Sequence, residues 1–290
     1  MEMGSRVLTP AQVEAVVRDV CRLDVQALKP GNVSVYSAGH GMTVEDFTRS
    51  ADIIAPLISS CGLSVGERVL RGVQATMAAV GCNTNLGIVL LLAPLIEAAL
   101  TISNSVSLCG RLKIVLEALT VGDAEAAYTA IRSANPGGLG SAASQDVAGP
   151  PTVTLRAAMQ LAAERDRVAY QYASGYEDVF ETGLPALRAA LEQGWSEEWA
   201  TVACYLRYAA RFPDTHITRK SGLAVAEDVQ MRAKAVESRF KACDNSFTAV
   251  PLLLSFDKEL KRGGFNPGTS ADLTVATLAA CRFEALLVEG

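Results

Sequence analysis

The chain has 290 residues, of which half are apolar, and a formal charge of −5, so it can bury a large core and is not a disordered chain. Its basic residues are scattered along the sequence, which argues against a binder of duplex nucleic acid. The longest apolar run, residues 87–96, is well short of the roughly 20 residues that cross a bilayer, and no apolar leader segment is evident, so we expect a cytoplasmic protein with no membrane partner.

Helix signals begin near the N-terminus and recur along the chain. Thr9-Pro10-Ala11-Gln12 combines an N-cap residue, a proline in the first turn and a glutamine three residues after the cap. Thr43 and Ser64 begin similar segments, each followed by apolar residues at spacings of three and four. Further predicted helices cover residues 86–101, 111–119, 123–134, 153–173, 185–193, 197–211, 222–241, 246–261 and 271–288. Since few segments alternate with period two, we predict an all-α, single-domain bundle of about eleven or twelve helices over residues 1–290.

Glycine and proline concentrate in the connections between these helices, and we expect the chemistry to lie there. The segments are 29–32, 81–84, 135–138, 149–151 and 263–268. The usual phosphate-binding loop is absent, and Gly138–Ala143 resembles a dinucleotide-binding motif only superficially, because a predicted helix precedes it where a strand is required. With two histidines and seven cysteines that form no Cys-x-x-Cys pair, we expect free thiols and no zinc site.

Three acidic residues interrupt apolar helical faces: Asp24, Asp166 and Asp272. A carboxylate that faces a core must be paired, protonated or bound to a cation, and several that converge would hold Mg²⁺, which in turn would hold phosphate. Structural explanations compete with this one. Asp272 could serve only the positive end of its helix, Asp166 could pair with an arginine, and Asp24 is best explained as a surface or ion-pair residue.

Two further segments are suited to anions. Asn83-Thr84-Asn85-Leu86-Gly87 leads into a helix whose first backbone N–H groups could receive a phosphate, although a capped helix start would explain it as well. Asp214–Lys220 brings together an acid, a histidine and two cations, which suits either a metal–phosphate contact or a solvated loop with a salt bridge. Glu67 completes a capping box and lies four residues before Arg71, so helix structure alone can explain it.

Five short segments follow one another in order along the chain. They are Lys29-Pro30-Gly31-Asn32, Gly39-His40-Gly41, Asn83-Thr84-Asn85-Leu86-Gly87, Asp214-Thr215-His216 followed by Arg219, and Asn266-Pro267-Gly268-Thr269-Ser270-Ala271-Asp272-Leu273. Together they resemble the triphosphoribosyl-dephospho-CoA synthase family over residues 10–288. The resemblance implies an all-helical transferase that joins the ribose C1 of its substrate ATP to the 2′-hydroxyl of 3′-dephospho-CoA and releases adenine. The product is the precursor of the prosthetic group of acyl carrier proteins in citrate lyase and malonate decarboxylase.

The reaction that the resemblance implies passes through an oxocarbenium-like state at C1, so it needs a carboxylate nearby. We assign Asp214 and Asp272 to Mg²⁺ binding and charge stabilisation, with Asp166 as a further Mg²⁺ ligand, and Glu67 or His216 as the proton acceptor. The residues assigned to nucleotide binding are Lys29, Asn32, His40, Asn83, Thr84, Asn85, Arg219, Lys220 and Ser270.

One motif departs from the family pattern. Citrate-lyase-type members have Asn-Thr-His-Lys-Gly where this chain has residues 83–87, so Leu86 supplies no cation and Asn85 no acid or base. Segment 135–180 resembles a branch found in methanogens and in bacteria that use tetrahydromethanopterin. Two alternatives follow: a related transferase with another acceptor, in methanopterin- or methanofuran-type cofactor biosynthesis, and a non-catalytic nucleotide-binding homologue. A homodimer formed through a helix face is compatible with the composition.

Overall fold

The structure, a computed structural model, describes residues 7–102 and 107–288. Within these ranges the chain forms α-helices, one short π-helix and connecting loops, and no β-strand beyond two isolated bridges. The α-helices are α1 (Pro10–Gln26), α2 (Val44–Ile58), α3 (Val65–Val80), α4 (Leu86–Leu100), α5 (Leu108–Glu117), α6 (Val121–Ala134), α7 (Leu155–Ala162), α8 (Arg167–Ser174), α9 (Leu184–Glu192), α10 (Glu197–Arg211), α11 (Thr215–Ser221), α12 (Leu223–Lys241), α13 (Ser246–Arg262) and α14 (Gly268–Val288). The predicted all-α fold is confirmed.

The helix starts follow the chemistry of the sequence. Thr9, Thr43 and Ser64 each accept a hydrogen bond from the backbone N–H three residues later, and the side chain at that later position bonds back to the cap. These reciprocal bonds satisfy donors that have no partner inside the helix. The capping boxes therefore fix where α1, α2 and α3 begin.

The predicted number of eleven or twelve helices is too low, since the described residues contain fourteen α-helices. The predicted helix at 153–173 divides, because Asp166 leaves helical geometry and its carboxylate caps α8. The segment after Asp214, treated as a loop, is a short helix capped by Asp214 and ended by Gly222 at φ 91°. In both places an aspartate caps the start of a helix, and the spacing of apolar residues does not predict that start.

Two buried helices, α4 and α14, lie at the centre of the core, and both begin at the candidate site. α4 and α14 are apolar on nearly every side, as expected for helices surrounded by others. α14 packs against α1, α4 and α10. A large hydrophobic cluster involves α1 to α9 and α14, a smaller one involves α11 to α13, and α10 contributes to both. None of the described helices combines the length and apolar character needed to span a membrane.

Candidate active site

A cavity of about 540 Å³ opens where α4 and α14 begin, a size that suits a nucleotide-sized ligand. Four of the five glycine- and proline-rich loops predicted to carry chemistry contribute to its wall, and the loop at 149–151 does not. The wall also includes the α7–α8 turn and α11. Residues that are far apart in sequence therefore meet at one site.

Asp272 is the carboxylate that stands out in this cavity. It lies in the second turn of α14, lines the cavity and is only partly exposed. Within the described part of the chain, its side chain accepts no hydrogen bond and forms no ion pair. Burial, followed by the charges of Asp24 and Asp214, raises the pKa of Asp272 well above its ordinary value, although Lys29 opposes this. Burial thus favours the neutral form of this acid, and a positive charge beside it would favour the ionised form.

Gly87 makes room for this carboxylate at the first turn of α4. A Cβ atom at Gly87 would lie 2.0 Å from Oδ2 of Asp272, a separation no pair of atoms can adopt without movement. The carboxylate therefore rests directly against the N-terminal turn of a buried helix, where the dipole favours negative charge. This close approach is possible because residue 87 has no side chain.

Predicted nucleotide-binding residues form the turn that precedes α4. Asn83 Oδ1 accepts the Leu86 N–H at 3.0 Å, Asn85 Nδ2 donates to Thr76 Oγ1 at 3.0 Å, and the Thr84 hydroxyl bonds to that of Ser50 at 2.7 Å. All three residues line the cavity. Their side chains hold the backbone of the turn in place, so a ligand would meet this turn mainly through backbone N–H groups.

Asp214 has a structural role that the sequence prediction missed. Its Oδ1 accepts the N–H groups of His216 and Ile217, and its Oδ2 accepts the N–H and hydroxyl of Ser270 at 2.8 Å each. Asp214 and Ser270 are both buried, and neither lines the cavity. The predicted catalytic and Mg²⁺-binding roles of Asp214, and the nucleotide contact of Ser270, are therefore corrected: this pair joins α11 to α14.

His216 follows directly and does line the cavity. Its Nδ1 would lie 2.6 Å from a Cβ at Gly268, and its Nε2 is buried with no hydrogen-bond partner in the described residues. Burial first, and then the positive charges of Lys220 and Arg219, lower the pKa of His216 to about 3. The imidazole is therefore neutral near pH 7.

This lowered pKa predicts a pH-dependent stability. The unfolded chain, with the ordinary histidine pKa of 6.5, binds a proton before the folded protein does. The contribution of the neutral His216 imidazole to the unfolding free energy is therefore present above about pH 6.5 and is lost as the pH falls towards 3. We expect acidification from pH 7 to pH 5 to reduce the unfolding free energy by about 2 kcal/mol less in His216→Gln than in the wild type. Urea unfolding at both pH values measures this difference, and equal losses in the two proteins would contradict it.

Asp166 and Arg219 form an ion pair at the cavity wall. Oδ1 of Asp166 caps α8 by accepting the N–H groups of Val168 and Ala169, and Oδ2 lies 3.3 Å from a guanidinium nitrogen of Arg219. Arg219 also donates to the carbonyl of Gly137 at 3.1 Å. Asp166 thus has the arginine partner that the alternative interpretation required. The predicted three-carboxylate metal site is not found, because no group of three metal-binding side chains occurs in residues 7–102 and 107–288.

The first motif holds a buried ion pair instead of a phosphate-binding lysine. Lys29 is fully buried, pairs with Asp24, and donates to Asn32 Oδ1 at 3.2 Å. It does not line the cavity, whereas Asp24 and Asn32 do. The predicted contact of Lys29 with the triphosphate is therefore corrected. Of the two interpretations of Asp24, the ion pair is confirmed and the surface position is wrong, since Asp24 is 2% exposed.

His40 and Asn32, which were predicted to bind the nucleotide, line the cavity, and each is hydrogen-bonded to a neighbouring loop. His40 Nε2 lies 2.8 Å from the carbonyl oxygen of Gly31, and Asn32 Nδ2 donates to Asn266 Oδ1 at 3.0 Å. Asn266 lines the same cavity. These contacts join the 29–40 segment to the loop that leads into α14.

Glu67 lies outside the cavity. It is exposed, its side chain accepts the backbone N–H of Ser64 at 2.9 Å, and it lies 3.7 Å from Arg71 one turn later. Capping and a weak helical ion pair account for it. The prediction of Glu67 as a proton acceptor is corrected, and His216 is the remaining candidate.

Arg165 and Tyr128 line the cavity without having been assigned a role from the sequence. The Tyr128 hydroxyl donates to the carbonyl of Gln145 at 2.6 Å and so supports the 135–147 loop. Arg165 is exposed and directly precedes Asp166. The signal for Arg165 in the sequence was its position next to Asp166, an acid on an otherwise apolar face. This position does not show which way the Arg165 side chain points.

The cavity is of nucleotide size, lies where two helices begin, and has the cations Arg165, Arg219 and Lys220 and the unpaired acid Asp272 in its lining. The particular family follows from comparison. The model of the ATP:dephospho-CoA triphosphoribosyl transferase family matches residues 10–289, so the chain belongs to this family. This result confirms the resemblance predicted from the five segments.

Two individual proteins are similar to this chain. One is a 2-(5″-triphosphoribosyl)-3′-dephosphocoenzyme-A synthase from Pectobacterium atrosepticum, 32% identical over 108 residues, which are 36% of this chain and 33% of that protein. The aligned segment thus spans about a third of that relative. The other is a crystal structure of a proposed triphosphoribosyl-dephospho-CoA synthase from Archaeoglobus fulgidus, 23% identical, with a TM-score of 0.59 over 83% of this chain and 97% of that chain. The structural likeness supports the shared fold.

Proposed function

We propose that this chain transfers the 5-triphosphoribosyl group of ATP to the 2′-hydroxyl of 3′-dephospho-CoA and releases adenine. The observation that carries the proposal is Asp272, an unpaired carboxylate in a cavity that also holds unpaired cations, within a chain of this family. The cations suit the triphosphate, and the carboxylate suits the reacting ribose.

The chemistry requires the bond from ribose C1 to the adenine nitrogen to break and a bond from C1 to the acceptor oxygen to form. Positive charge develops on the ribose between these events, and an anionic group beside it lowers the barrier. We assign this role to Asp272, because it lines the cavity and has no hydrogen-bond or ion-pair partner among the described residues. The acceptor hydroxyl loses its proton and the departing adenine gains one, so the reaction conserves protons.

We assign to His216 the role of orienting the acceptor hydroxyl. Its neutral imidazole offers Nε2, which has no partner among the described residues, as a hydrogen-bond acceptor for an incoming O–H group. With a pKa of about 3, the free imidazole is a weak base. Its contribution is therefore mainly to orient the hydroxyl, with proton removal completed as the new bond forms.

The arrangement of acidic residues suits one Mg²⁺ ion bound together with the substrate better than a metal site formed by protein ligands alone. Asp24 and Asp166 already have cationic partners, whereas Asp272 has none. Mg²⁺ is commonly held by one or two carboxylates together with the phosphates of its substrate. Asp272 would hold the ion from the protein side, and the ion would supply positive charge that neutralises the triphosphate.

Adenine release tests the proposal. The purified protein is incubated with ATP, Mg²⁺ and dephospho-CoA, and free adenine is followed by chromatography, with single omissions of each component as controls. We expect adenine only in the complete mixture. Adenine that appears only with a one-carbon cofactor precursor would contradict the acceptor, and ATP binding without adenine under any condition would contradict catalysis.

A further inference from the structure

The ion pair between Asp166 and Arg219 joins the α7–α8 turn to α11, and each of its members has a cationic neighbour in the sequence. Arg165 precedes Asp166, and Lys220 follows Arg219. All four side chains line the same cavity. Arg165 and Lys220 are 55 positions apart in the sequence, and the ion pair joins the two segments that carry them in the lining of one cavity.

Within the part of the chain that the structure describes, neither Arg165 nor Lys220 forms an ion pair or a side-chain hydrogen bond. Both residues are exposed and line the cavity. Lys220 extends along the 135–147 loop, since its Cε would lie 3.4 Å from a Cβ at Gly137. Two unpaired cations thus flank an Arg219 that Asp166 already neutralises.

Asp146 is the acid whose charge interacts with Arg165, and its carboxylate is hydrogen-bonded within its own loop. Oδ2 of Asp146 accepts the N–H of Ala142 at 2.5 Å, and Oδ1 accepts the N–H of Ala148 at 2.8 Å. These bonds and, after them, the charge of Arg165 lower the pKa of Asp146. In the cluster formed by Arg165, Arg219, Lys220, Asp146 and Asp166, the three cations outnumber the two carboxylates, so this cluster carries a net positive charge.

We propose that Arg165 and Lys220 together form an oligophosphate-binding site, with the Asp166–Arg219 pair as the element that positions them. The inference rests on the proposed function insofar as it assigns the triphosphate of ATP to this cluster. An arginine offers two parallel N–H donors to one phosphate, while a lysine supplies a point charge to the next. Arg165 becomes a phosphate-binding residue and Arg219 a positioning residue.

Binding of inorganic tripolyphosphate in the presence of Mg²⁺ tests this site without requiring turnover. Isothermal titration calorimetry on the full chain should give binding to the wild type that weakens about tenfold in Arg165→Gln, as expected for loss of one charge-assisted contact. Lys220→Gln should weaken it to a similar degree. Arg165→Lys should restore part of the lost affinity, and the exposed Arg71→Gln, on α3 outside the cavity, should bind as the wild type does.

Kinetics separate this inference from the proposed reaction. Arg165→Gln should raise KM for ATP about tenfold, change kcat less, and leave KM for dephospho-CoA unchanged. Unaltered tripolyphosphate affinity in Arg165→Gln, or no tripolyphosphate binding to the wild type, would overturn the site. Arg165-dependent tripolyphosphate binding by a protein that releases no adenine would support the site while contradicting the transferase function. Thermal unfolding confirms that each variant is folded.

Discussion

Asp272→Asn should abolish turnover while leaving the protein folded, with a loss in kcat of about a thousandfold or more, the order seen when a group that stabilises transition-state charge is removed. Asparagine has nearly the same shape, so the contact with Gly87 is kept while the negative charge is lost. Because desolvation and the charges of Asp24 and Asp214 disfavour the ionised carboxyl, which has no hydrogen-bond donor among the described residues, the substitution should also maintain or raise the melting temperature. An active site commonly carries this kind of destabilising group.

The measurements are adenine release and thermal unfolding on the same preparation. Asp228→Asn serves as the control, since Asp228 is an exposed acid on α12 that pairs with Arg232 and does not line the cavity; it should retain activity. Full activity in Asp272→Asn would remove Asp272 from the mechanism. A fall in melting temperature with unchanged activity would mean that the carboxylate is structural.

Gly87→Ala should reduce kcat by about a hundredfold, the cost of a misplacement of about 1 Å at a reacting centre. Alanine in a helix is ordinarily about 1 kcal/mol more favourable than glycine, so the local propensity predicts stabilisation. Here the new methyl group would lie 2.0 Å from Oδ2 of Asp272, so the carboxylate must move away from α4. Gly122→Ala is the matched control, because Gly122 is also in the first turn of a helix and its nearest neighbour would be 3.5 Å away.

The double variant tests whether Gly87 acts through Asp272. If it does, Gly87→Ala combined with Asp272→Asn should be no slower than Asp272→Asn alone, since the displaced carboxylate is already absent. Losses that multiply would show that residue 87 contributes separately, for example through contact with a ligand. Circular dichroism and thermal unfolding establish that both single variants and the double variant keep the helical fold.

The fold was largely predictable because its signals are local. Capping boxes at Thr9, Thr43 and Ser64 involve atoms three residues apart, and the apolar spacing of the following helices is read directly from the chain. Division of the helix at Asp166 could not be read in this way. A single aspartate on an apolar face is compatible with capping, an ion pair or a ligand, and only the packing of α7 and α8 decides between them.

The sequence indicated several residues that the structure brings together in one cavity, but it did not indicate the partners of the others. Asp272, His216 and the 83–87 segment do line the cavity, whereas Lys29 pairs with Asp24 and Asp214 pairs with Ser270, 56 positions away. A sequence shows that a charged residue is present but does not show which partner satisfies it. The same limitation concealed Gly87, whose importance depends on a carboxylate from another helix.

The measurement that tests the central claim most directly is the mass of the acceptor after reaction. Dephospho-CoA is incubated with ATP, Mg²⁺ and the protein, and its mass is compared with that of a sample incubated with Asp272→Asn. The account predicts a gain equal to one triphosphoribosyl group with the wild type, in equal amount to the adenine released, and no gain with the variant. An unchanged mass with the wild type while ATP remains bound, or the same gain with Asp272→Asn, would contradict it.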